Sequence, residues 1–192
     1  QYPWEEKTTI GISPASATTF TLNVRIPEWC TDATIRINDD VVTTEPNECG
    51  YVSLKREWQP GDNIELTLPM PVRLVGSHPK NIANYAKAVI QRGPLVYCLE
   101  QVDNPDIDIF NVVLPKNGEW KATYEDDLLG GVITLTGDAW VRDDSEWDAN
   151  PYQPLDQAPK PALSATKVKA IPFYTWANRG WCSMLTALPY RE

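Results

Sequence analysis

Thr19 to Ile26 reads T-F-T-L-N-V-R-I, with Phe20, Leu22, Val24 and Ile26 at alternate positions and Thr19, Thr21, Asn23 and Arg25 between them. Side chains of an extended chain point to opposite faces in turn, so this period of two marks a strand buried on one side. Pro27 ends the run because it cannot donate to a ladder. The same reading extends outward. Thr34 to Ile37 and Val41 to Thr43 flank Asn38-Asp39-Asp40, residues that tolerate the positive φ of a tight hairpin. Tyr51 to Arg56 alternates again, and Gln59-Pro60-Gly61-Asp62 supplies a turn. Ile64, Leu66 and Leu68 then form the apolar side of a strand that stops at Pro69. Short strands at regular spacing, separated by turn residues, predict an all-β chain of antiparallel sandwiches rather than a βαβ fold. The 17 prolines agree, since they leave little room for long helices.

Residues 76–85 (G-S-H-P-K-N-I-A-N-Y) break the pattern with small and polar residues, which predicts a first sandwich over 1–76 and a second over 77–192. The first is thin for a free-standing core, and is expected to be incomplete, with N-terminal strands missing. In the second, Ala86 to Gln91 and Leu95 to Leu99 are expected strands joined at Arg92-Gly93-Pro94. Further strands are expected near Phe110 to Leu114, Glu119 to Tyr124, Val132 to Thr136, Thr166 to Ile171 and Ser183 to Ala187. Residues 137–165 carry four Pro, five Asp and one Glu with little periodicity, and read as a long acidic loop for binding or as a surface insertion.

Charge removes some functions. Lys plus Arg is 17 against 26 Asp plus Glu, a net charge of −9, and no basic cluster offsets it, so nucleic acid is excluded as the main partner. No apolar run approaches the roughly 20 residues of a spanning helix, so no membrane partner is expected. The four cysteines, Cys30, Cys49, Cys98 and Cys182, form no C-x-x-C pair and read as buried free thiols. The single His78 has no partner histidine, so no zinc site is expected. His78 beside Ser77 lacks an orienting acid and reads as a local turn contact.

The carboxylate pairs Glu5-Glu6, Glu45/Glu48, Asp126-Asp127 and Asp143-Asp144-Glu146 sit in polar turns. Nothing there would raise one pKa for glycosidase-type acid catalysis, so a solvated acidic face is the reading. Asp143 to Asp148 clusters oxygens but lacks the glycine and alternation of an EF-hand calcium loop. No phosphate loop, dinucleotide fingerprint or nucleophile elbow is present, and the residues show no catalytic site. Eight Trp and eight Tyr raise sugar stacking as a function, with Trp140, Trp147 and Tyr152 in the long loop, and Trp176, as candidate glycan-binding residues.

Several stretches in order then carry a family resemblance. They are Tyr2-Pro3-Trp4, R-I-P-E-W-C at 25–30, P-M-P-V-R at 69–73 and Q-R-G-P-L-V-Y-C-L-E at 91–100. D-L-L-G-G-V at 127–132 and A-I-P-F-Y-T-W-A-N-R-G at 170–180 complete the set. Together they resemble the C-terminal region of glycoside hydrolase family 127, the β-L-arabinofuranosidases, over residues 2–188. Glu5-Glu6 departs from the family's Asp-Gly after Tyr-Pro-Trp.

The resemblance implies a retaining enzyme whose (α/α)6 barrel carries the catalysis. A Cys thiolate is the nucleophile there, a Glu the acid/base, and zinc is held around a Cys-Cys motif. This chain has no Cys-Cys pair, so no catalytic residue, metal ligand or cofactor is carried over to it. The implied role is a non-catalytic accessory fragment that supports its own N-terminal barrel and contributes to a homodimer, with Arg92 to Tyr97 and Ile171 to Arg179 defining the second sandwich. The competing readings are a binding module for arabinose-containing glycan and a free-standing adhesin-like domain. A cytoplasmic location is the accompanying expectation.

Overall fold

The computed structural model describes residues 2–42, 45–147 and 152–191. Its helical elements are three-residue 3-10 turns; all else is strand, turn or irregular chain, so the fold is all-β. The chain divides into two units, Gln1–Pro71 and Val72–Glu192.

The first unit contains β1 (Lys7–Ile12), β2 (Thr18–Arg25), β3 (Thr34–Ile37), β4 (Asp40–Val42), β5 (Tyr51–Trp58) and β6 (Asp62–Thr67). A four-stranded sheet of order β1-β6-β3-β4 faces a two-stranded sheet of β2 and β5. The alternation in 19–26 places Leu22 opposite Leu54 and Val24 opposite Val52, and their inner faces share a core with Ile35, Ile37, Ile64 and Leu66. Trp58 is wholly buried there, and its indole N–H donates to the Phe20 carbonyl at 3.2 Å, which settles the one polar atom the ring takes inside. Burial fades toward the Thr18 end of β2, where Phe20 is exposed and its ring keeps a tilted contact with Trp58.

The hairpin turn between β3 and β4 has Asn38 and Asp39 at φ 52° and 76°, two successive left-handed residues of the kind that match the twist of paired strands. Asn38 also ties this turn to the next one. Its Nδ2 donates to Asp62 Oδ1 at 2.7 Å, while its Oδ1 accepts from the Asn63 N–H at 2.9 Å.

The second unit contains β7 (Val72–Gly76), β8 (Lys87–Arg92), β9 (Leu95–Glu100), β10 (Val112–Pro115), β11 (Trp120–Glu125), β12 (Val132–Arg142), β13 (Leu163–Pro172), β14 (Met184–Leu185) and β15 (Ala187–Arg191). Their order is β14-β9-β13-β12-β10-β15-β8-β7, with β11 on β12 and a further pairing of β9 with β8. That pairing closes a circuit. Ile90 to Arg92 of β8 bond β9, and Lys87 to Val89 bond β15, so one strand turns the corner between two layers. Ile90, Leu99, Leu114, Leu135, Ile171 and Leu188, from six different strands, are wholly buried.

Four expectations change. The division falls between Pro71 and Val72, not at 76–77, because Val72 to Gly76 pair with Ala88 to Arg92 and so belong to the second unit. The pairing is antiparallel except between β10 and β15, which run parallel at Leu114 and Tyr190. The segment at Ile109 to Asn111 is a 3-10 turn, and the strand expected over Ser183 to Ala187 is two strands, β14 and β15.

The loop expected over 137–165 is also shorter. β12 continues through Gly137 to Arg142 because β13 lies beside it as far as Leu163. Gly137 does not stop the strand, since the Trp120 ring from β11 lies over it: a Cβ there would come within 2.3 Å of Trp120 Cε3.

Candidate functional site

A buried polar cluster in the second unit surrounds the end of β9. Tyr97, Cys98 and Leu99 are wholly buried, and Glu100 follows them inward at 1 % exposure. A buried carboxylate requires partners, and the stretch after β13 supplies them. Pro172 pairs with Tyr97, and the chain then makes a 3-10 turn at Phe173 to Thr175, closed by Thr175 Oγ1 to the Pro172 carbonyl at 2.6 Å. Ala177 follows in the left-handed region at φ 63°, which brings its N–H to Glu100 Oε1 at 2.9 Å.

Arg179 completes the cluster. Its Nη2 donates to Glu100 Oε2 at 2.6 Å, Nη1 donates to Asp103 Oδ1 at 2.8 Å, and Nη2 also contacts Asp103 Oδ2. Asp103 above all, and Glu100 with it, hold the guanidinium charged, against the opposing effect of burial. Asn178 Nδ2 caps the Thr175 and Trp176 carbonyls at 2.9 and 3.3 Å. Gln101 N–H bonds the Ser183 carbonyl and β14 pairs with Leu99 and Glu100, so both ends of the turn are tied to β9.

The bonds of this cluster hold the turn in place on β9. Both Glu100 oxygens are occupied. The Cys98 thiol is pushed up to about 12, chiefly by burial and then by the Glu100 charge, so it carries no thiolate near neutral pH. The Tyr97 phenol is likewise pushed up to about 12 by burial, and its hydroxyl has no hydrogen-bond partner among the described residues. What the cluster presents outward is an aromatic turn. Phe173, Tyr174 and Trp176 are 42, 60 and 44 % exposed, and Trp181 is fully exposed. The Phe173 and Trp176 rings stack at 6.3 Å between centroids and 7° between planes.

Of the four aromatic candidates, Trp176 is part of this turn and the other three belong to other segments. Trp140 lies inside β12, half-buried and opposite Ala165, and not in the loop. Trp147 is half-buried beyond that strand, and Tyr152 is exposed. Trp176 follows the far end of β13; Ala165 and Pro172 are seven residues apart, roughly 23 Å along a strand. The sequence does not mark Glu100, Asp103, Phe173, Tyr174, Arg179 or Trp181 as site residues. The signal available was an Arg flanked by Asn and Gly after an aromatic run, within the stretch expected to define the second sandwich.

The other candidates serve local structure. His78 Nδ1 accepts from the Lys80 N–H at 3.1 Å, and Ser77 Oγ bonds the Asn84 carbonyl rather than the imidazole. Glu6 Oε1 accepts from the Met70 N–H at 2.8 Å. Asp143 accepts from the Ser145 N–H at 2.9 Å and Asp144 from Asn111 Nδ2 at 3.2 Å; Asp148 of that acidic run lies outside the described residues. Glu45, Glu48, Asp126 and Asp127 are exposed. None of the four cysteines is in a disulfide, but only Cys30 and Cys98 are buried: Cys49 is exposed in the 47–50 turn and Cys182 is half-buried.

Comparison with known proteins gives matches along nearly the whole chain. Residues 1–70 match the model "Beta-L-arabinofuranosidase, GH127 middle domain", and residues 72–189 match "Glycoside hydrolase family 127 C-terminal domain". A non-reducing end β-L-arabinofuranosidase of Bifidobacterium longum subsp. longum is 34 % identical over 187 residues, covering 93 % of this chain and 28 % of that protein. The crystal structure of a family 127 β-L-arabinofuranosidase from Geobacillus stearothermophilus T6 superposes with a TM-score of 0.90 at 40 % identity, covering 99 % of this chain and 29 % of the other. A further family 127 β-arabinofuranosidase gives 0.84 at 27 % identity, with 99 and 30 % coverage. The chain thus spans less than a third of the length of these relatives.

Proposed function

Because this chain belongs to glycoside hydrolase family 127, we propose that it is the non-catalytic β portion of an enzyme that hydrolyses β-L-arabinofuranosides, and that it serves as a scaffold for a catalytic part lying outside these 192 residues. The observation that carries this reading is the match to a middle and a C-terminal domain model, which together take up residues 1–70 and 72–189. The chemistry of the residues supports it. The buried carboxylate Glu100 has both oxygens engaged, and Cys98 beside it is held as a thiol. Neither is free to act as acid, base or nucleophile.

The zinc that the family resemblance implies does not fit the described residues. They bring together no group of three or more His, Cys, Asp or Glu side chains able to hold an ion. Zinc also requires deprotonated thiolates, which the burial of Cys98 opposes.

The two-stranded layer of β2 and β5 supports the same assignment. Each strand pairs only with the other among the described residues, so its outer edges are open to further strands.

The test is an assay of the 192-residue chain and of the complete gene product on a chromogenic β-L-arabinofuranoside. Release by the longer protein alone is expected. Turnover by the 192-residue chain itself would overturn the reading. Glycan-dependent quenching of its tryptophan fluorescence that Trp147→Ala abolishes would favour a binding module built on Trp140, Trp147 and Tyr152.

A further inference from the structure

Large aromatic side chains are seldom left in water as a group, and contiguous apolar patches on a folded surface mark places where something else packs. The 173–181 turn puts four such side chains on one short segment: Phe173, Tyr174, Trp176 and Trp181, all exposed, with the first and third stacked on each other. Val102, also exposed, is next in sequence to Asp103, which Arg179 grips.

The segment is not a loose loop. The Ala177 N–H and the Arg179 guanidinium fasten it to a carboxylate that is 1 % exposed, and the Thr175 hydroxyl and the Asn178 side chain close its own carbonyls. A patch held in one shape loses little conformational entropy when it is covered, which is the property of a permanent interface.

The bonding also limits what can cover it. Thr175 Oγ1, Asn178 Nδ2 and both Nη atoms of Arg179 are spent on internal partners, and Arg179 Nε is buried, so those donors are not open to a ligand. A sugar site needs such groups to read hydroxyls; an apolar protein surface does not. The chain corresponds to only 28–30 % of the length of its relatives, which leaves more than two thirds of such a protein to provide that surface.

We infer that the aromatic turn of residues 173–181 is the docking face for the part of the parent polypeptide that lies outside this chain. The inference rests on the scaffold reading above and names the surface through which the scaffold acts. Phe173 and Trp176 form its rigid floor, Trp181 is the projecting anchor, and Arg179 is a positioning residue that acts through the turn.

Hydroxyl-radical footprinting read by mass spectrometry tests it on the 192-residue chain and the complete gene product in parallel. Trp176 and Trp181 are expected to be oxidised at least about ten-fold more slowly in the longer protein, as for side chains moved from water into an interface. Equal oxidation in a longer product overturns the inference and leaves the scaffold reading intact. Protection that grows with concentration in the short chain alone assigns the face to a second copy, and protection that appears only with an arabino-oligosaccharide assigns it to sugar; either overturns the inference. A gene product no longer than this chain defeats the scaffold reading itself, and its mass shows that before any labelling.

Discussion

Arg179 donates to Glu100 at 2.6 Å although 79 positions separate them, and it does so from a solvent-facing turn into a carboxylate that is 1 % exposed. The pair is what converts the end of β13 into a fixed platform. Replacing the arginine would leave two carboxylates in a desolvated site with no counter-charge. Arg179→Leu is therefore expected to lower the unfolding free energy by about 3–5 kcal/mol in urea titration. Arg179→Lys keeps the charge but loses the planar fork that reaches both Glu100 and Asp103, and should cost clearly less than the leucine. A loss below about 1 kcal/mol for the leucine variant, the scale of a surface ion pair, would show that the cluster does not hold the turn.

Acid should destabilise the fold through identifiable carboxylates. Glu125 is held below its usual value of 4.5, first by the hydrogen bond from Lys169 and then by that from Thr134. Asp62 lies below 3.8 because the Gln59 N–H and Asn38 bond it. A depressed folded pKa means that the unfolded chain takes up its proton first as pH falls. The stability is thus present above about 4.5 and lost on further acidification. Unfolding free energies measured between about pH 2.5 and 6 should be flat at the upper end and fall at the lower. Glu125→Gln is expected to make that fall shallower.

Alkali should act through Cys98 and Tyr97. Both are pushed up to about 12 by burial, from usual values of 9.0 and 10.0. Here the unfolded chain loses its proton first, so the stability is whole below pH 9 and declines as pH rises toward 12. Between pH 9 and about 10.5, Cys98 alone is expected to cost on the order of 1–2 kcal/mol. Cys98→Ala should reduce the slope.

Thiol labelling provides an independent check on burial. In the native protein Cys49 is expected to react promptly with an aromatic disulfide reagent, whereas Cys30 and Cys98 should react only once the chain unfolds. Prompt labelling of Cys98 in the folded state would contradict its place under the turn.

Gly137 is in mid-strand for a steric reason, with the Trp120 ring where a Cβ would go, 2.3 Å from Cε3. Gly137→Ala is expected to cost about 1–3 kcal/mol in urea titration, the range for overpacking a filled site. In a Trp120→Ala background the same substitution should cost less than half as much. Equal costs in the two backgrounds would show that the ring does not impose the glycine.

By itself, the sequence determined the all-β class, many of the strands and several of the turns. Alternation in Thr19 to Ile26 is a local property, because successive side chains of an extended chain must point to opposite sides, and Asn38-Asp39 turns because its residues accept positive φ. The ordered stretches such as Q-R-G-P-L-V-Y-C-L-E were enough to indicate the family.

Tertiary structure alone decided which strands lie side by side, and with them the candidate site. Residues 137–165 read as a loop until β13 is seen beside β12, so Trp140 reads as a loop residue although it belongs to β12. Glu100, Asp103 and Arg179 look like ordinary surface charges in the chain. They become a buried cluster only because β9 and β13 pair, and burial and ion pairing depend on what the rest of the fold brings alongside, which a local run of residues does not encode.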